Sequence, residues 1–185
     1  MNINDLSQDR ITQEFRKIIL GDYPEIGLNY LKDLLGDEYN IKDLDKLEQK
    51  VKFHPEGDVW VHTLQTIKLA KYINPNPEHK FELLTGLLFH DIGKIRDLEK
   101  KDIKHAVYGE ILFNEIKHKV SLSKKEIRLI KNLIANHMHV RNIDTLDNQE
   151  ILRIINLFGE DLDLYLNLYG FDLRARIKNC DLEEG

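Results

Sequence analysis

The sequence is poor in cysteine and proline and has no long apolar run, and each scarcity excludes a class of protein. Cys180 is the only cysteine, so an internally disulfide-bonded secreted scaffold is excluded and a reducing, cytoplasmic compartment is expected. Four prolines and ten glycines are too few for a fibrous or linker-rich chain. No run approaches the roughly 18 apolar residues that span a bilayer. The polar start Met1–Arg10 lacks a signal-peptide core, and we therefore expect no membrane partner.

What the sequence does contain is typical of one globular domain over residues 1–185. It is 42% hydrophobic and 32% charged, which is the profile of a folded chain with a single core. The net charge of −5 gives no general attraction to nucleic acid, so no duplex partner is expected and any phosphate must bind at a local site. Eight histidines accompany the single cysteine. A metal site would therefore use imidazole and carboxylate ligands.

The apolar residues repeat with helical spacing almost everywhere, which predicts an all-α fold of about eight or nine helices. Residues 1–50 are predicted to form N-terminal helices ahead of a core region over residues 51–180. Asp58 is placed to cap one helix, and Ser123 with Glu126 forms a capping box for another. The predicted helices cover residues 6–20, 24–35, 41–51, 59–73, 79–91, 105–117, 124–137, 149–158 and 161–179.

Histidine and aspartate interrupt otherwise apolar helical segments at four places, namely His62, His90-Asp91, His137 and Asp172. A lone histidine on such a helix is most simply a hydrogen-bonded core residue. That interpretation does not suit His90-Asp91, because this pair follows the most apolar helix in the chain. Burying an ionised carboxylate there is costly unless a cation accompanies it. Imidazole and carboxylate together suit Mn, Fe, Co, Ni or Zn, and Mg when more water is bound.

The ordered set His62, His90-Asp91 and Asp172 resembles the HD superfamily of metal-dependent phosphohydrolases. The stretch of residues 87–94, Leu-Leu-Phe-His-Asp-Ile-Gly-Lys, is close to the best-known motif of that family. The resemblance implies an HD-domain helical bundle in which these four residues hold a divalent metal ion. A divalent ion lowers the pKa of a water that it binds, so a nucleophile becomes available near neutral pH.

A narrower resemblance begins at residues 54–63, His-Pro-Glu-Gly-Asp-Val-Trp-Val-His-Thr. This string is similar to one in the HD domain of bacterial tRNA nucleotidyltransferases, the CCA-adding enzymes, and the likeness extends over most of residues 50–178. Two departures are evident. No strand-rich segment is present to form a nucleotidyltransferase head, and Ile103-Lys104-His105 stands where the family often has a His-x-His pair.

The histidine spacing also resembles HD hydrolases with two metal ions, including bacterial diadenosine tetraphosphate hydrolases. That likeness implies a second ion held by His105 and His137, with Asp91 bridging the two. His105 is alternatively only the first residue of its helix, and His137 a core histidine. The number of ions, one or two, stays open, as does their identity among Mn, Fe, Ni, Co, Mg and Zn.

The substrate side of the site is predicted from charge and position. Lys94, directly after the His-Asp-Ile-Gly turn, is assigned with Asp91 to catalysis and to a substrate phosphate, although it is alternatively a surface lysine. Arg141 and His139 are further candidate substrate contacts. Glu56 is a fourth, and it is also placed to orient a ligand histidine or to accept a proton.

The function expected from the resemblance is a stand-alone phosphohydrolase acting on a nucleotide or RNA-end phosphoester through a metal-activated water. Phosphomonoesters, 2′-nucleotides and 2′,3′-cyclic phosphodiesters are implied by the nucleotidyltransferase likeness, and dinucleoside polyphosphates by the two-metal likeness. The alternative is a non-catalytic module that binds a nucleotide or RNA end and regulates a partner. The oligomeric state is left open.

Overall fold

Helices account for the regular structure of the protein in the computed structural model, which describes residues 7–73, 79–140 and 145–176. No β-strand occurs within these ranges, where Glu48 and Asp58 form one isolated bridge. The predicted all-α fold with eight or nine helices is confirmed. Three short 3-10 helices cover Lys42–Lys46, Ile92–Asp97 and Gly159–Asp161. The α-helices are α1 Gln8–Leu20, α2 Pro24–Leu35, α3 Val59–Ile73, α4 Lys80–Phe89, α5 His105–Ile116, α6 Lys124–Asn136, α7 Asn148–Phe158 and α8 Leu162–Ala175.

Helix α4 forms the centre of the core because its sequence is apolar nearly all round. Residues 81–89 are all buried, and Leu83, Leu84 and Leu87 have no exposed surface. A helix of this kind must be surrounded by other elements, and α1, α3, α6 and α8 pack against it. The residue that follows its last turn, His90, therefore lies where several helices converge.

Side-chain caps fix where the helices around this core begin. The Ser123 hydroxyl accepts the N–H of Glu126, whose carboxylate accepts the N–H of Ser123, so the predicted capping box at the start of α6 is confirmed. Asp58 Oδ1 accepts the N–H of Val61 at 2.8 Å and caps α3 as predicted. Asp147 forms an unpredicted capping box for α7. Each cap contributes about 1 kcal/mol.

The short charged helix predicted over residues 41–51 is wrong apart from one 3-10 turn. Leu44 and Leu47 are both buried at a spacing of three residues, which matches the three residues per turn of a 3-10 helix. The chain then leaves the helical conformation, and the bridge between Glu48 and Asp58 joins the two ends of the following segment. The stretch between the predicted helices 79–91 and 105–117 likewise contains a 3-10 helix, Ile92–Asp97.

Other helix boundaries agree with the predictions to within a few residues. The first helix begins at Gln8, and residue 6 lies outside the described ranges. Helix α8 ends at Ala175, short of the predicted residue 179, which is also outside them. Helix α1 packs on α4, and α2 packs on α3. The predicted single domain, and its division at residue 50 into N-terminal helices and a core region, stay predictions. None of the described helices combines the length and the apolar content needed to cross a membrane.

Candidate metal centre

Five helices bring six ionisable side chains together at the C-terminal end of α4. Five of the six are at most 4% exposed, and the sixth, the side chain of His105, is 20% exposed. All six predicted metal ligands are therefore neighbours, although the first and last are 110 residues apart. They are His62 on α3, His90 and Asp91 directly after α4, His105 at the start of α5, His137 directly after α6, and Asp172 on α8.

The first group joins α3, α4 and α8. The Nε2 atom of His62 lies 2.9 Å from Oδ1 of Asp172. His90 Nε2 lies 3.2 Å from Oδ2 of Asp91 and 3.9 Å from Oδ1 of Asp172. One possible ligand atom from each of His62, His90 and Asp91 falls within 4.8 Å of the others. This spacing is compatible with a common cation.

The second group joins Asp91 to α5 and α6. The Nε2 atoms of His105 and His137 lie 3.1 Å apart. They are 3.7 and 3.6 Å, respectively, from Oδ1 of Asp91. Because Oδ2 of the same carboxylate faces His90, Asp91 lies between the two groups and presents one oxygen to each.

Two of the histidines are held by the ends of the helices that precede them. His90 Nδ1 lies 2.7 Å from the carbonyl oxygen of Leu87, and His137 Nδ1 lies 2.8 Å from that of Ile134. A carbonyl only accepts, so each Nδ1 carries a proton and donates it. The Nε2 atoms are then left with lone pairs directed toward Asp91, and His90 Nε2 is buried with no hydrogen-bond partner among the described residues. This is the arrangement that metal-binding histidines require.

Both aspartates are held in the ionised form. Burial alone would raise the pKa of Asp91, but the charge of Lys94, together with contacts from His90 and His137, holds it well below its usual range. The pKa of Asp172 is lowered in the same way, because the contact from His62 and the charge of Arg176 outweigh burial. Two ionised carboxylates are thus available to a cation.

The histidines at the two ends of the cluster differ in their protonation. Burial works against a charge on His62, yet Asp172 and Glu56 raise its pKa to about 8. Burial lowers the pKa of His105 to about 4, with only partial opposition from Asp91. His105 is consequently neutral at physiological pH, the form in which histidine binds a metal. A cation that bound at His62 would release the proton of that residue.

These properties fit a divalent cation. The cluster offers buried carboxylates, an Nε2 atom of His90 that has no hydrogen-bond partner among the described residues, and two groups of ligand atoms at metal-binding separations. Mixed nitrogen and oxygen donors of this kind suit Mn, Fe, Co, Ni or Zn.

Lys94 lies at the edge of the cluster rather than in open solvent. Its Nζ is 2.7 Å from Oδ2 of Asp91 and donates to Oε1 of Gln49 at 2.6 Å. The side chain is 20% exposed. Lys94 is thus beside the candidate ligands and still reachable from outside, and Gln49 fixes where its ammonium group sits.

Glu56 is buried behind the first group. Its Oε1 lies 2.6 Å from Nδ1 of His62 and 2.9 Å from Nδ1 of His54, and its side chain is 4% exposed. Of the roles predicted for Glu56, this position favours orientation of His62 over contact with a substrate. His54 was not recognised from the sequence, because nothing there indicates that the loop returns to α3.

Of the two remaining substrate-contact predictions, the structure describes only His139, and it does not bring that residue to this cluster. His139 is exposed and lines a pocket of about 400 Å³ together with Leu146 and residues of α7. Arg141 lies outside the described residues.

Arg176 is a member of the site that the sequence analysis missed. Its Nη2 donates to Oδ2 of Asp172 at 2.6 Å and its Nε to Oδ1 at 3.3 Å. The pair lies four residues apart on one helix, a spacing at which an aspartate and an arginine meet. That spacing was a usable signal.

Comparison with known proteins gives a consistent set of similarities. The HD domain family matches residues 59–171. A "Multifunctional CCA protein" of Actinobacillus pleuropneumoniae serotype 5b is 30% identical over 161 residues, which cover 82% of this chain and 38% of that protein. A protein of the same name from Haemophilus ducreyi is 27% identical over 190 residues, covering 95% and 45%. The chain thus spans about two fifths of the length of these curated relatives. No solved structure matches.

Proposed function

Since this chain belongs to the HD domain family, we propose that it is a metal-dependent phosphohydrolase acting on a nucleotide or RNA-end phosphoester. The observation that carries the proposal is the position of Asp91. Its two oxygens face different histidine groups, so one carboxylate serves both. A structural core histidine or a simple ion pair would have no need of that arrangement.

The residues that would hold the first ion are His62, His90, Asp91 and Asp172. Asp91 would hold the second with His105 and His137. A divalent ion bound at such a cluster supplies an activated water and neutralises phosphate charge. One or two ions among Mn, Fe, Ni, Co, Mg and Zn remain the candidates.

The chain's own residues position the substrate and the ligands. We assign Lys94 to a non-bridging oxygen of the scissile phosphate, because its ammonium group sits 2.7 Å from Asp91 and is reachable from outside. Gln49 holds that ammonium group, and Glu56 holds the rear of His62. In hydrolysis the oxygen of water bonds to phosphorus, the phosphorus–ester oxygen bond breaks, and the leaving oxygen takes a proton.

The substrate class follows from the relatives. Their name, multifunctional CCA protein, agrees with the resemblance to the HD domain of CCA-adding enzymes. It supports 2′,3′-cyclic phosphodiesters, 2′-nucleotides and phosphomonoesters over dinucleoside polyphosphates. The relatives are more than twice as long as the matched region, so the proposal concerns this region's chemistry alone.

The first test measures metal content and stoichiometry. We expect close to two Mn or Ni ions per chain by calorimetric titration and elemental analysis. His105→Ala and His137→Ala should each remove one ion, whereas His118→Ala, an exposed histidine on the loop after α5, should remove none. One ion in the parent chain, unchanged in both site variants, would argue against the second group.

The second test measures turnover. The loaded protein is assayed with a 2′,3′-cyclic nucleotide, a 2′-nucleotide, p-nitrophenyl phosphate and a dinucleoside polyphosphate. His90→Ala and Asp91→Ala should lower the rate by at least about a hundredfold, since an ion contributes several kcal/mol to the transition state. Turnover in both variants equal to that of the parent chain would refute the assignment. Substrate binding without turnover in the parent chain would instead support a non-catalytic module.

A further inference from the structure

A surface pocket of about 440 Å³ opens directly beside the candidate metal centre. The segment 47–54, the 3-10 helix Ile92–Asp97, the start of α5 and the end of α8 form its walls. His105, which belongs to the second group, lines it, and so does His54, which contacts Glu56 behind His62. Its volume is within the range of small-molecule sites. A ligand here would reach the cluster without crossing the core.

The pocket is cationic although the whole chain is acidic. Four basic side chains line it, against two acidic ones from Glu48 and Asp97, while the chain carries −5 overall. The four are Lys50, Lys94, Arg96 and Arg176. This local excess of positive charge would attract an anion to this face in particular.

The cations are not equivalent. Arg176 is held by Asp172, and Lys94 by Asp91 and Gln49. Arg96 Nε is buried without a hydrogen-bond partner among the described residues, and Oδ1 of the exposed Asp97 lies 3.4 Å from it. Lys50 is exposed. Arg96 and Lys50 therefore have donors to offer to an anion other than the one at the metal centre.

Phe53 adds an aromatic surface to this pocket. It lines the pocket with its side chain 57% exposed. The turn that carries it is held because the N–H groups of Phe53 and His54 both donate to the carbonyl of Lys50, at 2.8 and 2.9 Å. Lys52 Nζ lies 5.5 Å from the ring centroid. An exposed ring among cations is the combination on which a nucleotide base stacks while its phosphates are neutralised.

We propose that this pocket binds a nucleoside that carries two phosphates. The base stacks on Phe53, one phosphate lies at Lys94 and the metal centre, and the other is held by Arg96 and Lys50. The inference rests on the proposed function for the scissile phosphate and narrows it to nucleotidic substrates with a second phosphate. A simple phosphomonoester would leave Phe53, Arg96 and Lys50 without a ligand.

Binding to the metal-free chain, measured by calorimetry in the presence of a chelator, tests this pocket independently of turnover. The probes are adenosine 3′,5′-bisphosphate, adenosine 5′-monophosphate and ribose 5-phosphate. The bisphosphate should bind about tenfold or more tightly than the monophosphate, because hydrogen bonds to charged groups stabilise by about 1.5–3 kcal/mol. The monophosphate should bind about fivefold or more tightly than ribose 5-phosphate, because stacking contributes at least about 1 kcal/mol per base.

Two substitutions assign these preferences to residues. Phe53→Ala should remove the preference for the base, and Arg96→Gln the preference for the second phosphate. Tyr30→Ala and Arg10→Gln, at exposed positions on α2 and α1, are the matched controls and should change neither.

The outcomes separate this proposal from the proposed function. The pocket assignment would be overturned if no probe binds or if all three probes bind equally. It would also be overturned if the control variants change binding as much as Phe53→Ala and Arg96→Gln do. An enzyme that hydrolyses phosphoesters but shows no such preferences would overturn it while leaving the proposed function standing. Preferential binding by a protein without turnover would support the pocket and count against the phosphohydrolase.

Discussion

Gly93 is the position where one added methyl group should damage both the fold and the metal centre. It lies two residues after Asp91, where the 3-10 helix meets α5. A Cβ atom built on Gly93 would lie 1.8 Å from the carbonyl oxygen of His105 and 2.4 Å from the backbone nitrogen of Gly109. Both obstacles are backbone atoms, so no side chain can rotate away.

The size of the effect follows from these distances. Real Cβ contacts are essentially never under 3.0 Å, so Gly93→Ala requires the backbone at His105 to move by at least about 1.2 Å. Overpacking of this kind costs about 1–3 kcal/mol of unfolding free energy, and occasionally more. Because His105 is itself a candidate ligand facing Asp91, the same movement would open the second group. Misplacement by about 1 Å can cost about a hundredfold in rate.

Denaturant unfolding and metal titration together measure both consequences. Gly93→Ala should lower the free energy of unfolding and weaken binding of the second ion. Gly170→Ala is the matched control, because a Cβ there meets no atom within 4 Å inside α8, and alanine should stabilise that helix by about 0.5–1 kcal/mol. Gly109→Ala gives an intermediate case, because the atom nearest to its Cβ is the side-chain Cγ2 of Ile134 at 3.2 Å rather than a backbone atom at 1.8 Å.

Parent-like stability and second-ion affinity in Gly93→Ala would refute this reasoning. If Gly93→Ala does not fold, the comparison rests on Gly109→Ala. That variant should fold and show a smaller loss, since a side chain can yield by a few tenths of an ångström.

Two further predictions concern single contacts. Gln49→Leu removes the acceptor that holds Lys94 and should lower kcat/KM about tenfold. Steady-state kinetics measure this change, with Gln65→Leu, at an exposed position on α3, as the control. An unchanged kcat/KM in Gln49→Leu would contradict the prediction. Burial would raise the pKa of Glu126, but Arg16 and Ser123 outweigh it and hold that pKa below its ordinary value. The stabilisation that the Glu126 carboxylate contributes is therefore fully present above its pKa in the unfolded chain, about 4.3. It is lost as the pH falls through the lower pKa of this group in the folded protein. Glutamine at this position still completes the capping box, so Glu126→Gln removes the ion pair with Arg16. It should cost about 1 kcal/mol at pH 7 and progressively less in denaturant titrations at lower pH, and an equal cost at every pH would count against the ion pair.

The sequence predicted the fold class and five of the six clustered residues from local patterns, and the resemblance to two-metal HD hydrolases added His105. Helical spacing of apolar residues is read within a window of a few turns, and His90-Asp91 stands out because α4 has no other reason to end in an ionisable pair. The ordered motif then linked His62 and Asp172 to that pair. These inferences needed no knowledge of how the loops run.

The contacts that escaped prediction depend on the path of the chain between helices. Gln49 reaches Lys94 across 45 residues, and Glu56 reaches His62 because the bridge at Glu48 and Asp58 folds its loop back onto α3. No periodicity in residues 47–58 encodes that return. The missed pairing of Asp172 with Arg176 is different, since both residues lie on one helix four positions apart.

The cluster also uses one local device twice. His90 and His137 each occupy the position directly after a helix, and each donates Nδ1–H to a carbonyl three residues earlier. The last carbonyls of a helix lack intrahelical partners, so they are the natural acceptors for such a histidine. The donation fixes the tautomer and aims the lone pair of Nε2 forward along the helix end. Because α4 and α6 pack against each other, both lone pairs face the same carboxylate, that of Asp91. A histidine that directly follows a buried helix is therefore a stronger indication of a metal ligand than one in its middle.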